Sequence, residues 1–85
     1  MISQSNYVDL EISGKNLKNI DIDYKSSAND KRQLRSINFS CNHLVKLPMG
    51  LEKTLQFMNI SFNKLKSLNG IEQCVNLKFL NVSGN

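Results

Sequence analysis

Apolar residues recur along this chain at a spacing that repeats. The stretches 34–44 (LRSINFSCNHL), 55–65 (LQFMNISFNKL) and 77–85 (LKFLNVSGN) align without gaps. Each reads L-x-x-ϕ-x-ϕ-x-x-N, where ϕ is apolar, and the first two continue x-L. A weaker fourth copy begins at Tyr7 (YVDLEISGKNL). The first slot holds Tyr7, Leu34, Leu55 and Leu77; the fourth Leu10, Ile37, Met58 and Leu80; the sixth Ile12, Phe39, Ile60 and Val82. The eleventh holds Leu17, Leu44 and Leu65, and the fourteenth Ile20, Leu47 and Leu68. At a 40% apolar background, filling every one of these slots by chance has odds of about one in ten million. Slots four and six alternate with polar slots five and seven, which predicts a short strand with one buried face. Successive strands run parallel if the rest of each copy supplies the crossover. One copy cannot bury its apolar side alone, so stacked neighbours make the core.

The ninth slot holds Asn42, Asn63 and Asn85. It falls where the chain turns inward after the strand, and backbone groups buried at such a turn need partners. An Asn amide carries both donors and an acceptor, so one side chain can serve neighbouring turns. The spacing therefore predicts a structural ladder of Asn42, Asn63 and Asn85.

This pattern resembles the leucine-rich repeat superfamily over residues 7–85. The third copy, with Gly70-Ile71 and an apolar Cys74 in its tail, is similar to the 22-residue subclass typified by the nuclear regulatory subunit of protein phosphatase 1. The resemblance implies an α/β leucine-rich repeat solenoid. Its short parallel strands would lie on the concave side, with 3-10, irregular or short helical segments on the convex side. The expected divisions of this 1–85 domain are an atypical N-terminal capping repeat at 1–33, repeats at 34–54 and 55–76, and an incomplete repeat at 77–85.

The two ends depart from the pattern. Lys15 stands in the Asn slot of the first copy and cannot accept a hydrogen bond, so the ladder should stop there. The long polar return 20–33 contains Ser27-x-x-Asp30, similar to a capping box, which predicts a short helix over 28–33. At the other end Leu77, Leu80 and Val82 have nothing after them to cover them. The expectation is a domain cut short, with self-association through the uncapped end as a second outcome.

Composition narrows the function classes. The excess of Asn, Leu and Ser (12, 11 and 10 of 85 residues) resolves into the repeat slots. No run of ~18–20 apolar residues could span a membrane as a helix. The opening residues lack the basic and apolar stretches of a secretory leader. Two cysteines are too few to staple a small secreted domain, so a cytoplasmic location is expected, with nuclear or cytoskeletal variants. Cys41 and Cys74 occupy different columns and read as buried thiols, not as a disulfide or zinc site. Ser40, Cys41 and His43 are close in sequence, but the repeat accounts for each position and no triad is read from them. Asp21 and Asp23 do not complete a calcium loop, because Lys25 and Ser26 stand where it needs a ligand and a Gly. Neither cofactor nor metal is expected, nor catalysis. Three N-x-S sequons at Asn38, Asn59 and Asn81 are generated by the repeat and are not read as glycosylation sites.

Slots two, three, five and seven should point outward from the strands. Slot three runs Asp9, Ser36, Phe57, Phe79; slot five Glu11, Asn38, Asn59, Asn81; slot two Val8, Arg35, Gln56, Lys78. The candidate partner-binding residues are therefore Phe57, Phe79, Asn38, Asn59, Asn81, Arg35, Lys78 and Glu11. Exposed aromatics flanked by amides have the composition of interface hot spots. Phe62 is expected packed at its turn. Residues 1–30 carry net −2 and residues 31–85 net +6. Lys46, Lys64 and Lys66 are read as solvated turn residues, not as one groove. The resulting expectation is a non-catalytic protein–protein interaction module, the N-terminal part of a larger intracellular scaffold or regulatory protein. A targeting module for an enzyme domain beyond residue 85 is the alternative, and nucleic acid ranks behind protein as the partner.

Overall fold

The computed structural model describes residues 6–85. The start of the chain, where a leader's features were sought, lies largely outside the described residues. Four short strands form one parallel sheet in chain order: β1 (Tyr7–Glu11), β2 (Gln33–Asn38), β3 (Phe57–Asn59) and β4 (Phe79–Asn81). Each strand is joined to the next by an irregular crossover, and the third crossover carries a 3-10 helix, Ile71–Gln73. Gly70 precedes that helix at φ +101, a conformation that a side chain at this position would strain. Among the described residues no helix is long and apolar enough to cross a membrane.

The register aligns the repeat slots in columns. Ile37 pairs with Met58 and Met58 with Leu80. The backbone pairing continues past the strand ends: Ile12, Phe39 and Ile60 N–H donate to the carbonyls of Asn38, Asn59 and Asn81 at 2.8–2.9 Å. Two positions further on, Gly14, Cys41 and Phe62 N–H donate to Ser40, Ser61 and Ser83. Leu34, Phe39, Leu44, Leu55, Met58 and Ile60 are completely or almost completely buried, each contributing about 1.5–3 kcal/mol of transfer free energy. Their counterparts in the outer strands, such as Leu10, Ile12, Leu77 and Val82, are only partly covered. Burial of each apolar set depends on a neighbour on both sides.

Several expectations are corrected. Tyr7 does not fill the first core slot, since it is exposed and Val8 is buried opposite Leu34. The register between β1 and β2 shifts after Val8, so that Asp9 meets Ser36 and Arg35 is the extra residue of a bulge. Val8 therefore leaves the outward face assigned to it. No helix forms over 28–33: a turn occupies 28–29 and β2 begins at Gln33. The Asp30 carboxylate does not close a helix N-terminus on Ser27. It accepts hydrogen bonds from Ser26 N–H, Arg32 N–H and the Arg32 guanidinium. These donors hold it well below the usual carboxylate range, the Arg32 guanidinium most of all. Arg32 also donates to the Tyr24 carbonyl, and the Tyr24 hydroxyl donates to Glu52 at 2.8 Å. This polar clasp fixes the long return without a helix.

Cys41 is exposed, against the expectation of a buried thiol, whereas Cys74 is buried. Phe62 lies against Gly84 of the neighbouring turn, as expected, yet 61% of it is also exposed. The cause is common to both. The eighth slot, Gly14, Cys41, Phe62 and Gly84, has φ between +55 and +71 in all four copies, a left-handed kink that turns the chain inward and directs the side chain out. Two of the four residues are Gly, which was the sequence signal for it.

Candidate functional site

The outward face of the sheet carries the candidate residues, and the sheet register decides which of them meet. Phe57 lies directly opposite Phe79 on β3 and β4, about 4.8 Å apart along the pairing direction. They are 42% and 52% exposed, while Met58, between Phe57 and Asn59, is fully buried beneath the same strand. A strand face therefore holds two aromatic rings out of the core at the sheet's β4 edge. Gln56 and Lys78 continue this area toward a shallow hollow of about 300 Å³, also lined by Tyr7, Gln33, Thr54 and Asn76.

The β1–β2 side of the face is different in kind. Asp9 accepts hydrogen bonds from Arg35 Nε at 3.1 Å, Arg35 Nη2 at 2.6 Å and Ser36 Oγ at 2.7 Å. The Arg35 guanidinium lowers the Asp9 carboxyl pKa most, and the Ser36 hydroxyl adds to it. The same guanidinium lies 5.3 Å from the Tyr7 ring centroid, within cation–π range. Arg35 is thus already engaged within the chain. Glu11 accepts from the Ser13 hydroxyl. Of the eight candidate residues, the structure brings Phe57, Phe79, Asn59 and Asn81 together on β3–β4, places Lys78 just before β4 in the hollow, and sets Arg35, Glu11 and Asn38 on the β1–β2 side.

Asn38, Asn59 and Asn81 share one further role. The Oδ1 of each accepts from both the N–H and the hydroxyl of the Ser two residues on, with hydroxyl distances of 2.7–2.8 Å. This Asx turn ends each strand and gives the N-x-S recurrence a local physical cause. Among the described residues the Nδ2 groups of these three make no hydrogen bond, so the row offers donors outward while its acceptors are committed.

Behind the face, Asn42, Asn63 and Asn85 bond in one pattern. Asn63 Oδ1 accepts from Leu44 N–H at 3.0 Å, and its Nδ2 donates to the carbonyls of Phe39, Ile60 and Ser61. Asn42 does the same toward Lys15 and Leu17 N–H and the carbonyls of Ile12, Phe39 and Ser40. Asn85 serves Leu65 N–H and the carbonyls of Ile60, Val82 and Ser83. Each Asn reaches its own turn and the preceding one, so this set positions the strand ends of the face. Lys15 offers no such side chain to anything before it.

Among the described residues no three His, Cys, Asp or Glu side chains cluster in a way that could hold a metal ion. His43 lines a groove with Lys18, Asn19, Val45 and Lys64, on the flank beyond the strand ends. Lys46, Lys64 and Lys66 line three separate hollows, as expected of turn residues that share no groove, and Lys64 shares its own with Lys18 and His43. Comparison with protein-family models, with curated proteins and with solved structures finds no match to this chain.

Proposed function

We propose that this chain is a non-catalytic protein–protein interaction module of the leucine-rich repeat type. Its strand face would serve as the concave binding surface of a solenoid. The observation that carries this reading is the Phe57–Phe79 pair, two aromatic rings held exposed and in register over a buried core. Aromatic anchors of this sort, with a polar surround, supply most of the affinity of protein interfaces. Asn59 and Asn81 add outward donors beside the rings, and Lys78 adds a charge at their rim. The register of the strand columns and the two-turn hydrogen bonding of Asn42, Asn63 and Asn85 support the repeat assignment. The unpaired cysteines favour a reducing, intracellular setting, and we infer a scaffold or regulatory role for the protein that contains this module.

The test is affinity capture followed by quantitative binding to the recovered partner. Phe57→Ala/Phe79→Ala should weaken that partner's binding by about 2 kcal/mol or more with an unchanged circular dichroism spectrum. Unchanged affinity in the folded double variant would sink the reading.

A further inference from the structure

A second surface lies away from the aromatic pair, on the flank where the chain leaves the strand ends. The stretches 15–19, 42–46 and 63–67 (KNLKN, NHLVK and NKLKS) together contain five Lys, one His and no acid. Backbone bonds hold them side by side: His43 N–H donates to the Leu17 carbonyl at 2.7 Å, Lys64 N–H to Leu44 at 2.8 Å and Lys66 N–H to Val45 at 3.4 Å. Lys18, Val45 and Lys66 thus stand in one row across three tiers, with His43 and Lys64 in the row beside it. Lys18, Asn19, His43 and Lys64 rim a groove of about 490 Å³ that also has Val45 in its lining, 49% exposed. Among the described residues the ion pairs are Asp30–Arg32 and Asp9–Arg35; none of these five lysines is neutralised by a carboxylate.

We propose that this flank is a docking site for an acidic polypeptide segment whose carboxylates flank an apolar side chain. Lysines at the rim supply the charge complementarity, and Val45 supplies the contact for the apolar residue. The chemistry favours a polypeptide over a nucleic acid. Among the described residues no Phe, Tyr, Trp or Arg lines the groove, so it lacks the stacking rings and guanidinium forks used to hold bases and phosphates. Three tiers at parallel-strand spacing cover only about 10 Å, short for a tracking backbone. A lipid surface is also disfavoured, since Val45 is too small to anchor in a bilayer.

The experiment uses the whole chain and a fluorescein-labelled peptide of alternating Asp and Leu, read by fluorescence anisotropy. A Lys–Leu peptide of the same length, a single-stranded oligonucleotide and phosphatidylserine vesicles are the comparison probes. Binding of the acidic peptide should be saturable and should weaken as salt rises. Lys18→Glu/Lys64→Glu should weaken it about ten-fold. Lys18→Gln/Lys64→Gln should give a smaller loss, and reads the site if charge reversal impairs folding. Phe57→Ala/Phe79→Ala should leave the peptide affinity unchanged, which separates this site from the strand face. Peptide affinity untouched by the lysine variants, or tighter binding to the oligonucleotide or vesicles than to the peptide, would overturn the proposal.

Discussion

Asn63→Ala tests the internal logic of the strand ends. Four backbone groups lose the Asn63 amide, but not equally. The Phe39 carbonyl keeps Asn42 Nδ2 at 3.0 Å, the Ile60 carbonyl keeps Asn85 Nδ2 at 3.1 Å, and the Ser61 carbonyl keeps Cys41 N–H at 3.0 Å. Leu44 N–H keeps nothing, because among the described residues Asn63 Oδ1 is its only acceptor. Leu44 is buried and Asn63 only 7% exposed, so water does not readily replace the lost acceptor. One orphaned buried donor costs about 1–3 kcal/mol, while the three carbonyls, each still bonded, add little. The expected loss is about 2 kcal/mol, or roughly 10 °C in melting temperature for a domain of this size. Asn85→Ala is the internal control. It removes the same set of bonds at the exposed end of the sheet, where water can reach Leu65 N–H, and should cost less than about 1 kcal/mol. Asn63→Asp sharpens the case. It keeps the acceptor for Leu44 N–H but turns a carboxylate toward three carbonyls, which raises its folded-state pKa. Its stability should then be best at acidic pH and fall as pH rises through that pKa. Urea denaturation followed by circular dichroism measures all three. Equal losses for Asn63→Ala and Asn85→Ala, to within about 0.5 kcal/mol, would refute the argument.

Three further outcomes follow from the same structure. Cys41 should react with a thiol reagent in the native protein while Cys74 waits for unfolding, since Cys41 is exposed and burial, with Glu72 nearby, pushes the Cys74 thiol pKa up; two equally fast thiols would contradict the placement. The Tyr24 hydroxyl, raised from 10.0 to about 12 by burial and then by its hydrogen bond to Glu52, is protonated more firmly in the folded state. Its contribution to stability is therefore complete below pH 10 and lost as pH rises from 10 to 12, and Tyr24→Phe should flatten that part of a stability–pH profile. Gly84→Ala places a Cβ at φ +71 and within 2.5 Å of the Phe62 ring. It should destabilise by about 1–2 kcal/mol, and adding Phe62→Ala should recover the steric share in a double-mutant cycle.

Sequence periodicity carried much of the strand layout. The alternation around Ile37, Met58 and Leu80 located the strands, because a strand with one buried face must alternate. The Asn in slot nine pointed to shared turns, because few other side chains both donate and accept at that position. What the periodicity missed is instructive. Val8 in place of Tyr7 reflects a bulge at Arg35, and a bulge depends on what lies across the strand rather than along it. The return 20–33 contains helix-start chemistry, yet Arg32 captures Asp30 and Tyr24 finds Glu52, residues 28 positions apart. Of the candidate site, Phe57 and Phe79 were legible because they share a slot. Arg35 was not, since its engagement by Asp9 and Tyr7 requires three-dimensional neighbours.

The sequence by itself determined which residues occupy equivalent positions in the last three copies, because a repeated slot pattern is a property of spacing; in the first copy the bulge at Arg35 put Val8 where spacing placed Tyr7. Tertiary structure decided which of those positions are spoken for. The Asp9–Arg35 pair, the exposed Cys41 and the clustering of Lys18 with Lys64 all arise where separate turns of the chain meet. Neither charge pairing nor exposure can be assigned to a residue until its neighbours in the adjacent turns are in place.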